Sequence, residues 1–124
     1  MASSQVVKVL IVEDDIVTRR IYRTMLSRFG FEVTEAEDGK KAINHFVDGN
    51  EYDLVLMDKE MPKMDGVEAT RTLRGMGIPV KIVAITGDEH SRGAFLDAGA
   101  DEFLLKPLSI LALTDILKAF NFLN

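Results

Sequence analysis

The chain has 124 residues, of which 47% are hydrophobic and 28% are charged, with a formal net charge of −5. This length fits one compact domain with a substantial core, and the acidic excess argues against direct DNA binding, which usually needs a basic surface. The absence of cysteine excludes disulfides and thiolate chemistry.

We see no targeting or membrane-anchoring signal in the sequence. Its first five residues, MASSQ, lack a basic patch leading into an apolar stretch and lack glycine at position 2, so we expect neither a signal peptide nor N-myristoylation. Apolar runs such as 9–12 and 54–57 are too short to cross a bilayer. We therefore expect one domain with its core at about 7–122, no output domain and no membrane association, resident in the cytoplasm or, in a eukaryote, the nucleus.

Short apolar runs rich in β-branched residues predict five strands. In chain order they lie at 7–12, 31–36, 54–57, 80–85 and 103–105, and the second is weaker and alternating. Nearly continuous apolar character is typical of strands that are buried on both faces of a parallel sheet.

Between these runs, apolar residues recur at helical spacing and predict five helices. The first stripe, within 16–29, consists of Val17, Ile21, Met25 and Leu26. The other four consist of Ala42, Ile43 and Phe46 within 39–47; Val67, Thr70 and Leu73; Ala94, Phe95 and Ala98, ended by Gly99; and Ile110, Leu113, Ile116, Leu117 and Phe120. Strict alternation predicts an α/β fold with helices on both faces of the sheet. In such folds the functional crevice lies beyond the carboxyl ends of the strands.

The residues that follow the predicted strands are polar and of complementary charge. Glu13-Asp14-Asp15 follows the first strand, Asp58 the third, Thr86 the fourth and Lys106 the fifth. Carboxylates gathered at one edge repel each other and persist mainly beside a cation, and an oxygen-only set with few carboxylates suits Mg²⁺ better than Ca²⁺. A carboxylate can accept a phosphoryl group, whose charge Mg²⁺, Lys106 and the Thr86 hydroxyl would neutralise.

Each of these residues also has an ordinary structural interpretation. Asp15 can serve as the N-cap of the following helix, residues 86–88 can form a simple turn, and Lys106 can be a surface lysine. The joint placement of all of them at one edge favours a site.

Four motifs occur in the order VEDD (12–15), LMDKEMPKMDG (56–66), ITG (85–87) and LKP (105–107). Together they resemble the receiver domain of two-component and phosphorelay response regulators, from about residue 8 to residue 120. The resemblance implies a single receiver domain with a flavodoxin-like, doubly wound, three-layer fold: five parallel strands in the order 2-1-3-4-5 and five helices. It also implies a phosphoacceptor switch that is not an enzyme, beyond catalysing its own phosphotransfer and dephosphorylation.

The resemblance assigns roles to individual residues. It implies that Asp58 is the phosphoacceptor and that Thr86 and Lys106 contact the phosphoryl group. It implies that Mg²⁺, with Mn²⁺ as a substitute, is held by Glu13, Asp14, Asp58 and the backbone carbonyl of Glu60. The Lys106–Pro107 peptide is often cis in such domains, as X-Pro bonds tolerate.

The resemblance also implies a switch in which the Thr86 hydroxyl moves toward the phosphoryl group and the Phe103 ring turns inward. A core aromatic is an equally valid interpretation of Phe103, and a phenylalanine has no phenol to donate a hydrogen bond. Glu13 stands where the family often has the shorter aspartate. Glu60 and Asp88 add negative charge beside the site, and we hypothesise that they tune the lifetime of the phosphoryl group; the alternative is that both are solvated loop charges.

The residues of these motifs are similar to those of single-domain regulators of plant phosphorelays, such as the cytokinin phosphorelay, and to those of receiver segments of hybrid kinases. This implies a histidine kinase or a histidine-phosphotransfer protein as partner. Val17, Thr18 and Ile21 are candidate contacts, although core packing accounts equally well for Val17 and Ile21; the surface formed by the fourth helix, fifth strand and fifth helix is the other candidate.

Three other functions fit parts of the pattern. A phosphate sink that drains a histidine-phosphotransfer protein would need the same residues as an effector. A haloacid-dehalogenase-type phosphohydrolase would need a second aspartate where Glu60 stands. A flavodoxin-like electron carrier would need a phosphate-binding loop where Glu13-Asp14-Asp15 would repel the phosphate.

Overall fold

The computed structural model describes residues 5–124, which alternate strictly between strands and helices. The strands are Lys8–Val12 (β1), Glu32–Ala36 (β2), Leu54–Met57 (β3), Lys81–Thr86 (β4) and Glu102–Leu105 (β5). The α-helices are Ile16–Ser27 (α1), Gly39–Val47 (α2), Gly66–Gly75 (α3), Arg92–Ala98 (α4) and Ile110–Ala119 (α5), and a single 3-10 turn, Glu89–Ser91, precedes α4. The residues on which the leader and myristoylation predictions chiefly rest, 1–4, lie outside the described part of the chain.

All strand pairings are parallel, and the strand order is β2-β1-β3-β4-β5. The predicted flavodoxin-like fold, with its strand order, is confirmed. Backbone hydrogen bonds continue past the paired strands, since Glu13 N donates to Ala36 O at 3.1 Å and Asp58 N to Val12 O at 2.9 Å. The residues that follow the strands are therefore held side by side at one edge of the sheet.

Helices cover both faces of the sheet, as the alternating pattern predicted. Alternate residues of β1 point to opposite faces, so that Leu10 and Val12 lie in one core while Val9 and Ile11 lie in the other. The first core contains residues of α2, α3 and α4, and the second contains residues of α1 and α5. None of the helices in 5–124 combines the length and apolar character needed to cross a bilayer.

The orientation of α1 differs from the sequence interpretation. Val17 and Ile21, assigned to its apolar stripe, are exposed, whereas Tyr22 and Leu26 face the core. Several apolar residues occupy neighbouring positions on this helix, and spacing alone does not decide which of them the sheet covers. Ala94 of α4 is likewise exposed.

Side-chain caps start the helices that border the functional edge. Asp15 is the N-cap of α1 and accepts a hydrogen bond from Thr18 N at 2.8 Å, so its ordinary interpretation is confirmed. Asp65 caps α3 in the same way, through Glu68 N at 2.8 Å. Gly99 ends α4, as the sequence predicted, and does so in the left-handed conformation with φ of 111°.

Candidate functional site

Three carboxylates converge at the carboxyl edge of the sheet. Glu13 and Asp14 follow β1 and Asp58 follows β3, and one oxygen from each lies within 4.8 Å of the others. Glu13 and Asp58 are buried, whereas Asp14 is exposed toward the cleft. The fold thus brings together the three side chains that the family resemblance implied as metal ligands.

Lys106, which follows β5, supplies the ammonium of the cluster. Its Nζ donates to Glu13 Oε1 at 2.7 Å and lies 3.1 Å from Asp58 Oδ1. The peptide that joins Lys106 to Pro107 is cis. Three carboxylates and one ammonium leave two negative charges, so the oxygen donor set and its charge fit a hard divalent ion such as Mg²⁺.

The pKa values of these groups record the crowding. Burial raises the pKa of Glu13, and the neighbouring Asp58 adds to the increase although Lys106 opposes it. Burial, followed by the proximity of Glu13, raises the pKa of Asp14. For Lys106 burial acts to lower the pKa, but hydrogen bonds to Glu13 and Asp58 outweigh it and the pKa is raised. The carboxylates therefore remain short of compensating charge even with Lys106 in place.

The main chain around Asp58 is held by a close approach of Gly66, the first residue of α3. A β-carbon at position 66 would lie 1.8 Å from the Asp58 carbonyl oxygen, which no side chain allows. Gly66 N also donates to Lys59 O at 2.8 Å. The sequence analysis gave Gly66 no role; an Asp-Gly pair at the start of a predicted helix was the available signal.

Thr86 and Phe103 lie behind the cluster, and both are buried. Thr86 is the last residue of β4 rather than the residue after it, and its hydroxyl accepts a hydrogen bond from Asp88 N at 3.2 Å. The Phe103 ring points inward, 6.2 Å from the Phe95 ring, with the Arg92 guanidinium 5.7 Å from its centroid. Phe103 is thus a core aromatic in contact with α4.

Asp88, which was expected to add negative charge beside the site, is paired with a lysine. Its carboxylate accepts a hydrogen bond from Lys59 Nζ at 2.6 Å and another from His90 N at 3.0 Å. These contacts, the Lys59 hydrogen bond above all, hold the pKa of Asp88 below its usual value. The ion pair joins the loop after β3 to the loop after β4, and the sequence analysis missed it. Glu60, by contrast, is exposed.

An open cleft of about 560 Å³ lies over the cluster. Its volume accommodates a phosphoryl group and a hydrated ion. Phe103 lies outside the lining of this cleft. The residues that line it are Glu13, Asp14, Asp15, Asp58, Glu60, Thr86, Gly87, Asp88 and Lys106.

Comparison with known proteins identifies the same family that the sequence motifs resemble. A family model described as the response regulator receiver domain matches residues 9–118. The chain is 46% identical to the two-component response regulator ORR41 of Oryza sativa subsp. japonica, over 94% of this chain and 96% of that one. It is 40% identical to two-component response regulator 24 of Arabidopsis thaliana, over 91% of this chain and 83% of that one.

A solved structure that resembles the chain contains the metal. The receiver domain of a sensor histidine kinase from Pseudomonas aeruginosa, with a magnesium ion coordinated in its active-site cleft, superposes with a TM-score of 0.83. The two are 33% identical over 94% of this chain and 98% of that one.

The chain belongs to the response regulator receiver family. Receiver domains are signalling domains of two-component systems that pair with histidine kinases, are phosphorylated on aspartate and bind Mg²⁺ at an acidic pocket. In this chain the acidic pocket is the cluster of Glu13, Asp14 and Asp58.

Proposed function

We propose that this chain is a Mg²⁺-dependent phosphoacceptor switch in which Asp58 takes the phosphoryl group. The observation that carries the proposal is the position of Lys106, whose ammonium lies 3.1 Å from Asp58 and 2.7 Å from Glu13. A free carboxylate oxygen, a cation on each side of it and an open cleft in front of it are the requirements of in-line phosphoryl transfer.

In the proposed reaction an Asp58 oxygen attacks the phosphorus of a phosphohistidine. The new P–O bond forms as the P–N bond breaks, and the leaving imidazole nitrogen keeps the electron pair and takes up a proton from water. Lys106 and the Thr86 hydroxyl bind the equatorial oxygens. Glu13, Asp14, Asp58 and the Glu60 carbonyl would hold Mg²⁺, or Mn²⁺ in its place, which supplies further charge neutralisation.

The signal would pass through Thr86 and Phe103. If the Thr86 hydroxyl turns to the phosphoryl group, it leaves Asp88 N without its present acceptor, and the β4–α4 loop has to adjust. Phe103 contacts Phe95 and Arg92 on the adjoining helix, so a change at Thr86 would alter α4 and the face beside it. A ligand-dependent preference of this kind is what a two-state switch requires.

The partner proposed for this site is a histidine-phosphotransfer protein or a histidine kinase, with neither DNA nor membrane contact. Apolar side chains on the outer face of α1, namely Ile16, Val17 and Ile21, are at least half exposed. Leu111, near the start of α5, is 75% exposed, and α1 and α5 contribute to the same core. An apolar helix face beside the cleft suits docking of a helical donor.

Intact-mass measurement after incubation with acetyl phosphate tests the proposal. We expect the wild type to gain one phosphoryl group with Mg²⁺ and none after chelation, and we expect Asp58→Asn to gain none. Asp53→Asn is the matched control, since Asp53 is an exposed aspartate just before the same strand. Phosphorylation of Asp58→Asn at the wild-type level would refute the assignment.

A second arm separates an effector from a phosphate sink. A phosphorylated histidine-phosphotransfer protein replaces acetyl phosphate, and the phosphoryl group on Asp58 is followed over time. A group that remains for minutes supports the effector, whereas rapid release of inorganic phosphate with depletion of the donor supports the sink.

A further inference from the structure

Arg19, on the second turn of α1, contacts the main chain of the acidic turn (residues 13–15) rather than its carboxylates. Its Nη1 donates to the carbonyl oxygen of Glu13 at 2.8 Å and to that of Asp14 at 3.3 Å. The side chain is only 13% exposed. Because the two carbonyls belong to consecutive residues, one cation fixes the two peptide planes relative to each other.

Arg19 is itself held in place from β2. Its Nε donates to Glu35 Oε1 at 2.9 Å, and Arg23, one turn further along α1, binds the other oxygen of Glu35. Burial acts to raise the pKa of Glu35, but the two arginines outweigh it and hold the pKa below its usual value, so Glu35 stays ionised. The guanidinium therefore has a fixed orientation and a neutralising partner.

We infer that Arg19, anchored by Glu35, is a positioning residue for the metal site. It holds the main chain of Glu13 and Asp14 in the conformation that directs both carboxylates at the ion. This inference rests on the proposed Mg²⁺ site and names a residue outside the coordinating set on which its affinity depends. Outer partners that orient metal ligands commonly contribute about 10- to 100-fold to affinity.

Two effects of removing Arg19 have opposite signs, which makes the inference decidable. If Arg19 acted only through its charge, its removal would take a cation away from the ion and Mg²⁺ would bind more tightly. If Arg19 acts by positioning, the turn relaxes and Mg²⁺ binds more weakly. Glu35, which Arg19 shares with Arg23, offsets part of the charge of Arg19, so we expect positioning to be the larger effect.

The test measures Mg²⁺ binding by isothermal titration calorimetry in the full chain. We expect Arg19→Ala to raise the dissociation constant by about tenfold. We expect a smaller increase in the dissociation constant for Arg19→Lys, because its ammonium keeps the charge but lacks the planar fork that reaches the turn and Glu35 together. We also expect a smaller increase for Glu35→Gln, which leaves Arg19 in place but weakens its anchor. The Mg²⁺ concentration for half-maximal phosphorylation by acetyl phosphate rises by the same factor, while the rate at saturating Mg²⁺ stays at the wild-type value.

Two neighbouring arginines provide the controls. Arg20 is exposed, and Arg23 contacts Glu35 but not the acidic turn. We expect Arg20→Ala to leave the dissociation constant unchanged and Arg23→Ala to alter it less than Arg19→Ala does.

The outcomes separate this inference from the function on which it rests. Absence of Mg²⁺ binding in the wild type would overturn the proposed function itself. Normal binding in the wild type with equal or tighter binding in Arg19→Ala would overturn the role of Arg19 alone. If Arg19→Ala does not fold, Arg19→Lys decides the matter because it keeps the positive charge: weaker binding supports positioning, and wild-type binding refutes it.

Discussion

The inner and outer parts of the site differ in how firmly they are held. The inner part consists of Glu13, Asp58 and the Gly66 contact beneath them. It is buried and joined to the sheet, since Glu13 and Asp58 are only 1% and 6% exposed. The outer part is the Lys59–Asp88 ion pair, whose side chains are 27% and 32% exposed and lie on two loops. One side of the cleft is therefore held by buried contacts, and the other side by a partly exposed ion pair between two loops.

This difference assigns separate tasks to the two parts. Changes in the inner part should alter whether the domain folds and accepts a phosphoryl group. Changes in the outer part should leave the fold intact and alter how long the group remains. Loss of a partner is costly for a buried group, whereas ion pairs open to water contribute little.

The largest expected effect comes from Gly66→Ala in the inner part. The added β-carbon would collide with the Asp58 carbonyl oxygen, so the loop or α3 has to move. We expect the free energy of unfolding to fall by roughly 2–3 kcal/mol, with loss of phosphorylation by acetyl phosphate. Urea denaturation followed by circular dichroism measures the first effect, and intact mass the second.

Gly75→Ala, at the other end of α3, is the matched control. No atom lies within 4 Å of a β-carbon at that position, so we expect unchanged stability or an increase of up to about 1 kcal/mol. Equal destabilisation by the two substitutions would show that the inner part is not specially constrained.

The outer part predicts a smaller, kinetic effect. We expect Lys59→Ala, Asp88→Ala and the double variant to lose the phosphoryl group faster than the wild type, all by the same factor. An ion pair open to water is worth roughly 0.2–1 kcal/mol, which corresponds to a change of about one and a half- to fivefold in rate. The decay of phosphorylated protein after removal of the donor gives this rate.

Lys41→Ala, which breaks an exposed ion pair with Glu37 outside the cleft, is expected to decay as the wild type does. Glu60→Asn tests separately whether the unpaired carboxylate at position 60 also tunes the lifetime. Opposite effects of Lys59→Ala and Asp88→Ala would mean that the two residues act as independent charges rather than as a pair.

An effect confined to alkaline pH concerns Tyr22, which lies in the core of the α1 face. Burial raises its pKa to about 12, so the folded state keeps its proton longer than the unfolded state does. Its contribution to stability is complete below pH 10 and is lost as the pH rises toward 12. We expect the wild type to lose more unfolding free energy than Tyr22→Phe between pH 9 and pH 11.5.

The pKa of Lys106 is also raised, so its contribution to the free energy of unfolding is lost at alkaline pH in the wild type and in Tyr22→Phe alike. The difference in unfolding free energy between these two proteins therefore reports on Tyr22. Urea midpoints at each pH provide the comparison. Parallel pH profiles for the two proteins would mean that Tyr22 is not shielded as the structure indicates.

Most of the fold could be predicted because its signals are local. Alternating short apolar runs and helical stripes identify the elements, and parallel topology then requires Asp58, Thr86 and Lys106 to meet at one edge. What could not be predicted depends on contacts between segments distant in sequence. The Lys59–Asp88 pair and the Arg19 contact with the acidic turn depend on loop conformation, and single charged residues on helices and loops are usually solvated.

The error on α1 has a related cause. Val17 and Ile21 are as apolar as the residues that the sheet covers, so helical spacing suggested that they were buried. A surface kept apolar for a partner and a surface kept apolar for the core give the same local pattern. The packing of Tyr22 and Leu26 against the sheet shows which face of α1 belongs to the core and which is left exposed.

The contact between Lys106 and Glu13 spans 93 positions of sequence, which has a consequence for biosynthesis. A chain that has emerged from the ribosome only as far as β4 already contains Glu13, Asp14 and Asp58, but their ammonium partner is still to come. Until β5 docks, the three carboxylates lack the ammonium that lies beside Glu13 and Asp58 in the folded domain. On the function proposed for this site, a nascent domain would therefore become a phosphoryl acceptor only after its last strand has joined the sheet.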